Sequence, residues 1–214
     1  MKTLKKPYLQ IRYKDQMSYG GNQTWFEKKF MKKSACGVIG AADVLLHMRG
    51  KTQMTESEYM EFAKKLWKGY LPVIPGFGMN GLTLMLGLNG YFIKKKMPYR
   101  AYWNVSGRKK LAKIDQMLSK DIPVIFSVGP NFPNFRGKAT VRLYIKNSDG
   151  NYGKASKVRS HYMIVTGRDG SYLQLSSWGK EYYINYAEYQ DYIKQYSSHL
   201  VSNIVCIKEL KKLK

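Results

Sequence analysis

The 214-residue chain is 44% hydrophobic and 14% aromatic, enough for one sizeable core and too apolar for global disorder. No run approaches the roughly 18 consecutive apolar residues of a membrane-spanning helix, and two cysteines cannot build a disulfide framework. Thirty-seven Lys and Arg against 14 Asp and Glu leave a net charge of +23, a field that attracts polyanions or acidic peptides and speaks to partners rather than to fold.

The opening MKTLKKPYLQIRYKDQ is basic with no apolar stretch behind it, so no secretory signal is expected and a cytoplasmic location is the default. Residues 1–33 read as an ordered but irregular arm broken at Gly20-Gly21. SACGVIGAADVLLHM, Ser34 to Met48, has the spacing of a helix with a broad apolar face, capped by Ser34 and ended by Gly50. A second helix runs from Thr55 to about Lys68, opened by the capping pair Thr55 and Glu58. A third starts at Asn80 and reaches Leu88.

Beyond residue 98 the period changes to that of strands. Tyr99–Val105 and Ile122–Val128 flank a helix around Arg108–Leu118. Short strands follow at 139–146, 158–166, 171–176, 181–185 and 202–207, with one more helix from about Ala187 to Tyr196. Asp169-Gly170 carries a two-residue hairpin signature. Helices first and strands later imply a single α+β domain over 1–214, with a mostly helical lobe (1–97) and an antiparallel sheet lobe (98–214).

Lysine clusters at 28–33, 94–96, 108–110 and 208–214 are dispersed and read as solvated surface; no nucleic-acid motif gathers them, so a nucleic-acid partner is considered but not favoured. Two cysteines and three histidines have no zinc spacing, and no glycine-rich phosphate loop opens a helix. Neither a metal nor a cofactor is expected.

Cys36 falls in the first turn of the most apolar helix, where free backbone N–H groups favour an anion. Its thiol is therefore expected to fall from about 8.5 into roughly the 3.5–7.5 range, above all beside an imidazolium. Ala35 and Gly37 leave room for a carbonyl. Of the three histidines, His47 sits ~16 Å along the same helix and His199 reads as a surface residue. His161 opens the apolar strand HYMIVTG, so it is the expected partner: an early cysteine with a histidine on a late strand.

GGNQTWF, SACGVIGAADVLLH, PVIFSV and HYMIVTG followed by YLQLSSWG together resemble the papain-like cysteine peptidases, closest to bacterial proteins similar to the double-glycine leader peptidases of bacteriocin exporters. The likeness spans residues 20–207. It implies a papain-like fold, with the nucleophile helix packed on a sheet or half-barrel, and thiol-dependent amide hydrolysis of a peptide or protein. It implies Cys36 as nucleophile, His161 as base and then acid, and Gln23 as oxyanion donor, with Asn22 its neighbouring rival and EKKFMKK looping out between Gln23 and Cys36. Trp178 would shield the histidine. Where the family has Asn-Ser-Trp-Gly this chain has Ser176-Ser177-Trp178-Gly179, so Ser176 takes the orienting place; Ser177, Asp169 and Asn185 are the alternatives. The charge suggests an acidic or acidic-flanked peptide. The competing expectation is a non-catalytic basic protein on the same scaffold, with acidic or nucleic-acid partners.

Overall fold

The computed structural model describes residues 1–104 and 106–210, and over them the chain is α+β with mainly antiparallel strands. The N-terminal arm is more regular than its composition suggests. Strand β1 (Lys2–Thr3) is followed by the β2 (Gln10–Tyr13) and β3 (Gln16–Tyr19) hairpin, a 3-10 turn over Gln23–Trp25, and the short helix α1 (Lys29–Ser34). The residues expected to loop out before Cys36 are thus the body of α1.

Ala35 breaks the helix. It caps the next one, α2 (Cys36–Met48), without any side-chain bond, so Ser34 ends α1 rather than starting α2. Helix α2 is buried almost throughout, as its all-apolar faces require, and Gly50, at φ +77°, closes it by donating to the His47 carbonyl. After β4 (Gln53–Thr55), the capping box of Thr55 and Glu58 opens α3 (Glu56–Gly69) as its sequence signature requires. Asn80 accepts the Thr83 N–H and opens α4, which runs on to Lys94 (Gly81–Lys94).

The second half supplies β5 (Tyr99–Trp103), α5 (Lys110–Ser119), β6 (Val124–Val128), β7 (Val141–Lys146), β8 (Tyr152–Val158), β9 (His161–Asp169), β10 (Tyr172–Ser177), β11 (Lys180–Asn185), α6 (Tyr186–Tyr196) and β12 (Val205–Glu209). The expected end of β5 at Val105, and the lysines at 211, 212 and 214, lie outside the described residues. Strand β8 has an exposed, lysine-bearing run that gave no period, which is why the sequence reading missed it. The β9–β10 loop is Gly170-Ser171, one residue later than expected, because Asp169 still pairs with Tyr172.

The seven-stranded sheet runs β1-β9-β10-β11-β7-β8, with β6 also paired along β9. Its central strand, β9, lies against α2, and two glycines set how closely. A Cβ at Gly40 would sit 3.0 Å from Ile164 Cδ1, and one at Gly37 would sit 3.4 Å from the Tyr162 ring. One continuous core joins α2, α3 and α4 to β6, β9 and β10. No described helix is long and apolar enough to cross a membrane.

Gly40 offers a test in which two effects oppose. Alanine gains about 1 kcal/mol of helix propensity, and the flexible Ile164 terminus can turn aside. Gly40→Ala should therefore unfold in urea within about 1 kcal/mol of the native chain, whereas Gly40→Val, which wedges two further methyl groups into the same gap, should lose about 1–3 kcal/mol.

Candidate active site

Cys36 is half-buried at the first residue of α2, and His161 is buried at the first residue of β9. Both line one narrow cleft, together with Gln23, Asp43, Ser177 and Trp178. The packing of α2 on β9 at Gly37 brings the two strand and helix starts to the same end of the contact.

His161 is held from behind. Its Nε2 lies 2.8 Å from the Ser177 hydroxyl, and its ring stacks on Trp178 at 4.5 Å between centroids and 17° between planes. Burial pushes the imidazole down to about 4, so it is neutral at pH 7. Trp178 is positioned at a cost: it has φ +49°, rare for a large side chain, and with Gly179 at φ +74° it forms the two-residue turn joining β10 to β11. Strain of this kind persists only where the surroundings over-determine it. Here the Trp178 carbonyl accepts from Asn22 Nδ2 at 3.0 Å, Gly179 donates to the Gly21 carbonyl, and the Gly179 carbonyl accepts from Tyr19.

The hydroxyl in contact with His161 is that of Ser177 rather than the expected Ser176. Successive strand residues face opposite ways, and Ser176 turns to the N-terminal arm, donating to the Tyr19 carbonyl at 2.7 Å. The ring nitrogen engaged is also Nε2 rather than Nδ1. Asp169 is spent on Lys146 and Tyr152, and Asn185 caps α6, so neither serves His161. Gln23 is buried at the cleft; one of its amide N–H groups donates to the Lys32 carbonyl of α1 at 2.8 Å, and the second remains. Asn22 donates from Nδ2 to the Trp178 carbonyl and accepts the Thr24 N–H at Oδ1, and unlike Gln23 it does not line the cleft.

The expected acidic thiol is also corrected. Burial pushes Cys36 up, and the backbone N–H groups of Tyr162, Gly37 and Cys36 itself only partly oppose this. The neutral imidazole supplies no positive charge to make up the difference.

Sequence reasoning missed Asp43. This buried carboxyl accepts from Tyr59 at 2.6 Å, from Tyr8 at 2.7 Å and from the Gly21 N–H at 3.1 Å, and burial raises it to about 6. It anchors the Gly20-Gly21 turn that leads to Gln23. The signal was present: a single acid inside an otherwise apolar helix. Of the other histidines, His47 is buried with Nε2 3.2 Å from Asp121. His199 is not a free surface residue either, since its ring packs over Gly107 and its Nδ1 lies 3.5 Å from the buried Lys110. No cluster of three or more metal-binding side chains occurs among the described residues. No model of a known protein family matches the chain, and no curated protein matches it in sequence.

Two measurements probe this geometry. Trp178→Asn leaves a turn sequence that tolerates positive φ but uncovers the imidazole, so the His161 midpoint, read by NMR titration, should rise from about 4 toward about 6.5; an unmoved midpoint would show that Trp178 is not the cover. Because the unfolded imidazole titrates near 6.5, His161 contributes stability that is present above that pH and lost, up to about 3 kcal/mol, as the pH falls toward 4. Asp43 acts in the opposite sense, its contribution being full below about 4 and lost as the pH rises through 6. The difference between the native chain and His161→Gln in urea unfolding should therefore shrink progressively from pH 7 to pH 4.

Proposed function

We propose that the protein is a papain-like cysteine peptidase, or a closely related thiol amidase, in which Cys36 and His161 act as a pair. The observation that carries this reading is the shared cleft: a thiol at a helix start and a buried, neutral imidazole line it together, and the imidazole is braced behind by Ser177 and covered by Trp178. With Nε2–H donating to the Ser177 hydroxyl oxygen, Nδ1 keeps a lone pair for the thiol.

Attack would begin from a neutral thiol and a neutral base. The sulfur would add to an amide carbonyl as Nδ1 takes its proton. The oxyanion so formed would meet the Cys36 backbone N–H and the second N–H of Gln23. The imidazolium then hands its proton to the departing amine, leaving a thioester. Water, deprotonated by the same imidazole, resolves it to acid and free thiol. Ser177 carries no charge, so it fixes the ring without stabilising the imidazolium as a carboxylate would.

A second reading, a cationic binding protein on the same scaffold, is favoured by the raised thiol and the uncharged Ser177. Alkylation by iodoacetamide separates the two. On the enzyme reading Cys36 reacts at least tenfold faster than buried Cys206, and His161→Ala slows Cys36 about tenfold or more. Because the resting pair is neutral, the rate should climb with pH with no acid plateau between pH 5 and 6. Ser177→Ala should lower hydrolysis of a fluorogenic peptide-amide library by about tenfold, while Ser176→Ala costs about 1 kcal/mol of stability and little rate. Equal, slow alkylation of both thiols, with His161→Ala unchanged, would rule out the enzyme.

A further inference from the structure

Helix α1 is assembled against local preference. It has no acidic residue in its first turn, its cap Lys28 makes no side-chain bond, and Lys29 and Lys33 stand one turn apart as like charges. Like-charge pairs at this spacing destabilise a helix, and residues that break a local rule without a structural gain concentrate at functional surfaces. A groove separate from the cleft runs along this helix, lined by Lys28, Lys29, Phe30, Lys33, Ser34 and Gly76. Ser34 lies two residues before Cys36, and the turn around Gly78 packs on the Ser34 carbonyl, so one end of the groove is two residues along the chain from the proposed nucleophile.

Its charge is uncompensated. Among the described residues no carboxylate lies within 4 Å of Lys28, Lys29 or Lys33; the nearby Glu27 is bound to Lys64 at 2.6 Å. The Lys28 ammonium is held over the Trp67 ring at 5.4 Å, so part of the field is fixed in place. Phe30, half-buried against Trp67, gives the groove an apolar floor.

On the peptidase reading, we propose that this groove binds an acidic stretch of the peptide substrate, with carboxylates at alternate positions of an extended chain. The spacing fits: Lys29 and Lys33 have Cβ atoms about 5–6 Å apart, and alternate residues of an extended peptide repeat every ~6.6 Å. The methylene stems of the two glutamates cover Phe30. A peptide fits better than a nucleic acid because the groove includes Ser34, two residues from a thiol whose proposed chemistry requires an acyl carbon.

Binding is read on Cys36→Ala, where no covalent bond can form, by fluorescence anisotropy of a short labelled peptide containing Glu-Leu-Glu. The Gln-Leu-Gln peptide should bind at least tenfold more weakly, and Lys29→Gln with Lys33→Gln should weaken the Glu peptide about tenfold and leave the Gln peptide unmoved. Lys94→Gln with Lys95→Gln removes the same charge from an exposed site elsewhere and should change binding less than about twofold. Equal loss in that control pair, equal binding of the two peptides, or tighter binding of a short single-stranded oligonucleotide at the same lysines overturns the proposal. Fast alkylation of Cys36 without groove binding also sinks it while leaving the enzyme reading standing. Groove binding with an inert Cys36 sinks the enzyme instead.

Discussion

The close approach of a buried helix to the central strand of the sheet is the constraint from which the site follows. Helices usually stand 8–10 Å from what they pack on because side chains intervene. At Gly37 and Gly40 there are none, and Tyr162 and Ile164 of β9 come directly onto the α2 backbone. The contact therefore sets both the depth of the cleft and the height at which Cys36 and His161 enter it. His161 is buried in that cleft, and its burial is what holds the imidazole pKa down. Solvent that reached the ring freely would return its pKa to the ordinary range.

A second tie joins the two sides of the cleft. The strained Trp178-Gly179 turn is pinned to residues 18–22 by hydrogen bonds from Asn22, Gly179 and Tyr19, and Asp43 pins the same stretch from below. Ser176 and Ser177 divide the work by facing opposite ways, one steadying the arm and one steadying the imidazole. The arm that carries Gln23 and the turn that covers His161 are thus tied to each other. A buried carboxylate with no cation costs free energy. Two tyrosine hydroxyls and a backbone N–H offset much of that cost, and the outcome is a rigid Gly20-Gly21 turn.

Much of the architecture was legible because its signals are local. The Thr55–Glu58 capping box, the apolar period of α2 and the apolar run of β9 each declare themselves within a few residues. The candidate pair was legible for the same reason, as a cysteine at a helix start and a histidine at a strand start. What was not legible depends on register. Whether Ser176 or Ser177 faces His161 turns on a single residue of strand phase, and the β9–β10 ladder shifts register between Gln174 and Leu175. The role of α1 was hidden because four lysines in six positions look like solvent-facing surface, although the segment forms a helix that accepts the Gln23 amide. The thiol was misjudged because a helix start predicts an electrostatic benefit while the desolvation that outweighs it is a property of packing.

That balance bears on how so basic a protein could hold a neutral pair. A net charge of +23 favours drawing a proton off Cys36. Exposed charges are screened beyond about 10 Å at moderate salt, however, so most of the lysines contribute little at the sulfur. Desolvation acts at contact distance and is not screened. The local term therefore decides the protonation state, and the distant charge is left to act on what approaches from solvent. On the proposed reading this separates two tasks within one chain. The lysines of α1 gather an anionic substrate, while the Cys36–His161 pair beyond Ser34 stays neutral until a carbonyl enters and the proton passes from sulfur to ring.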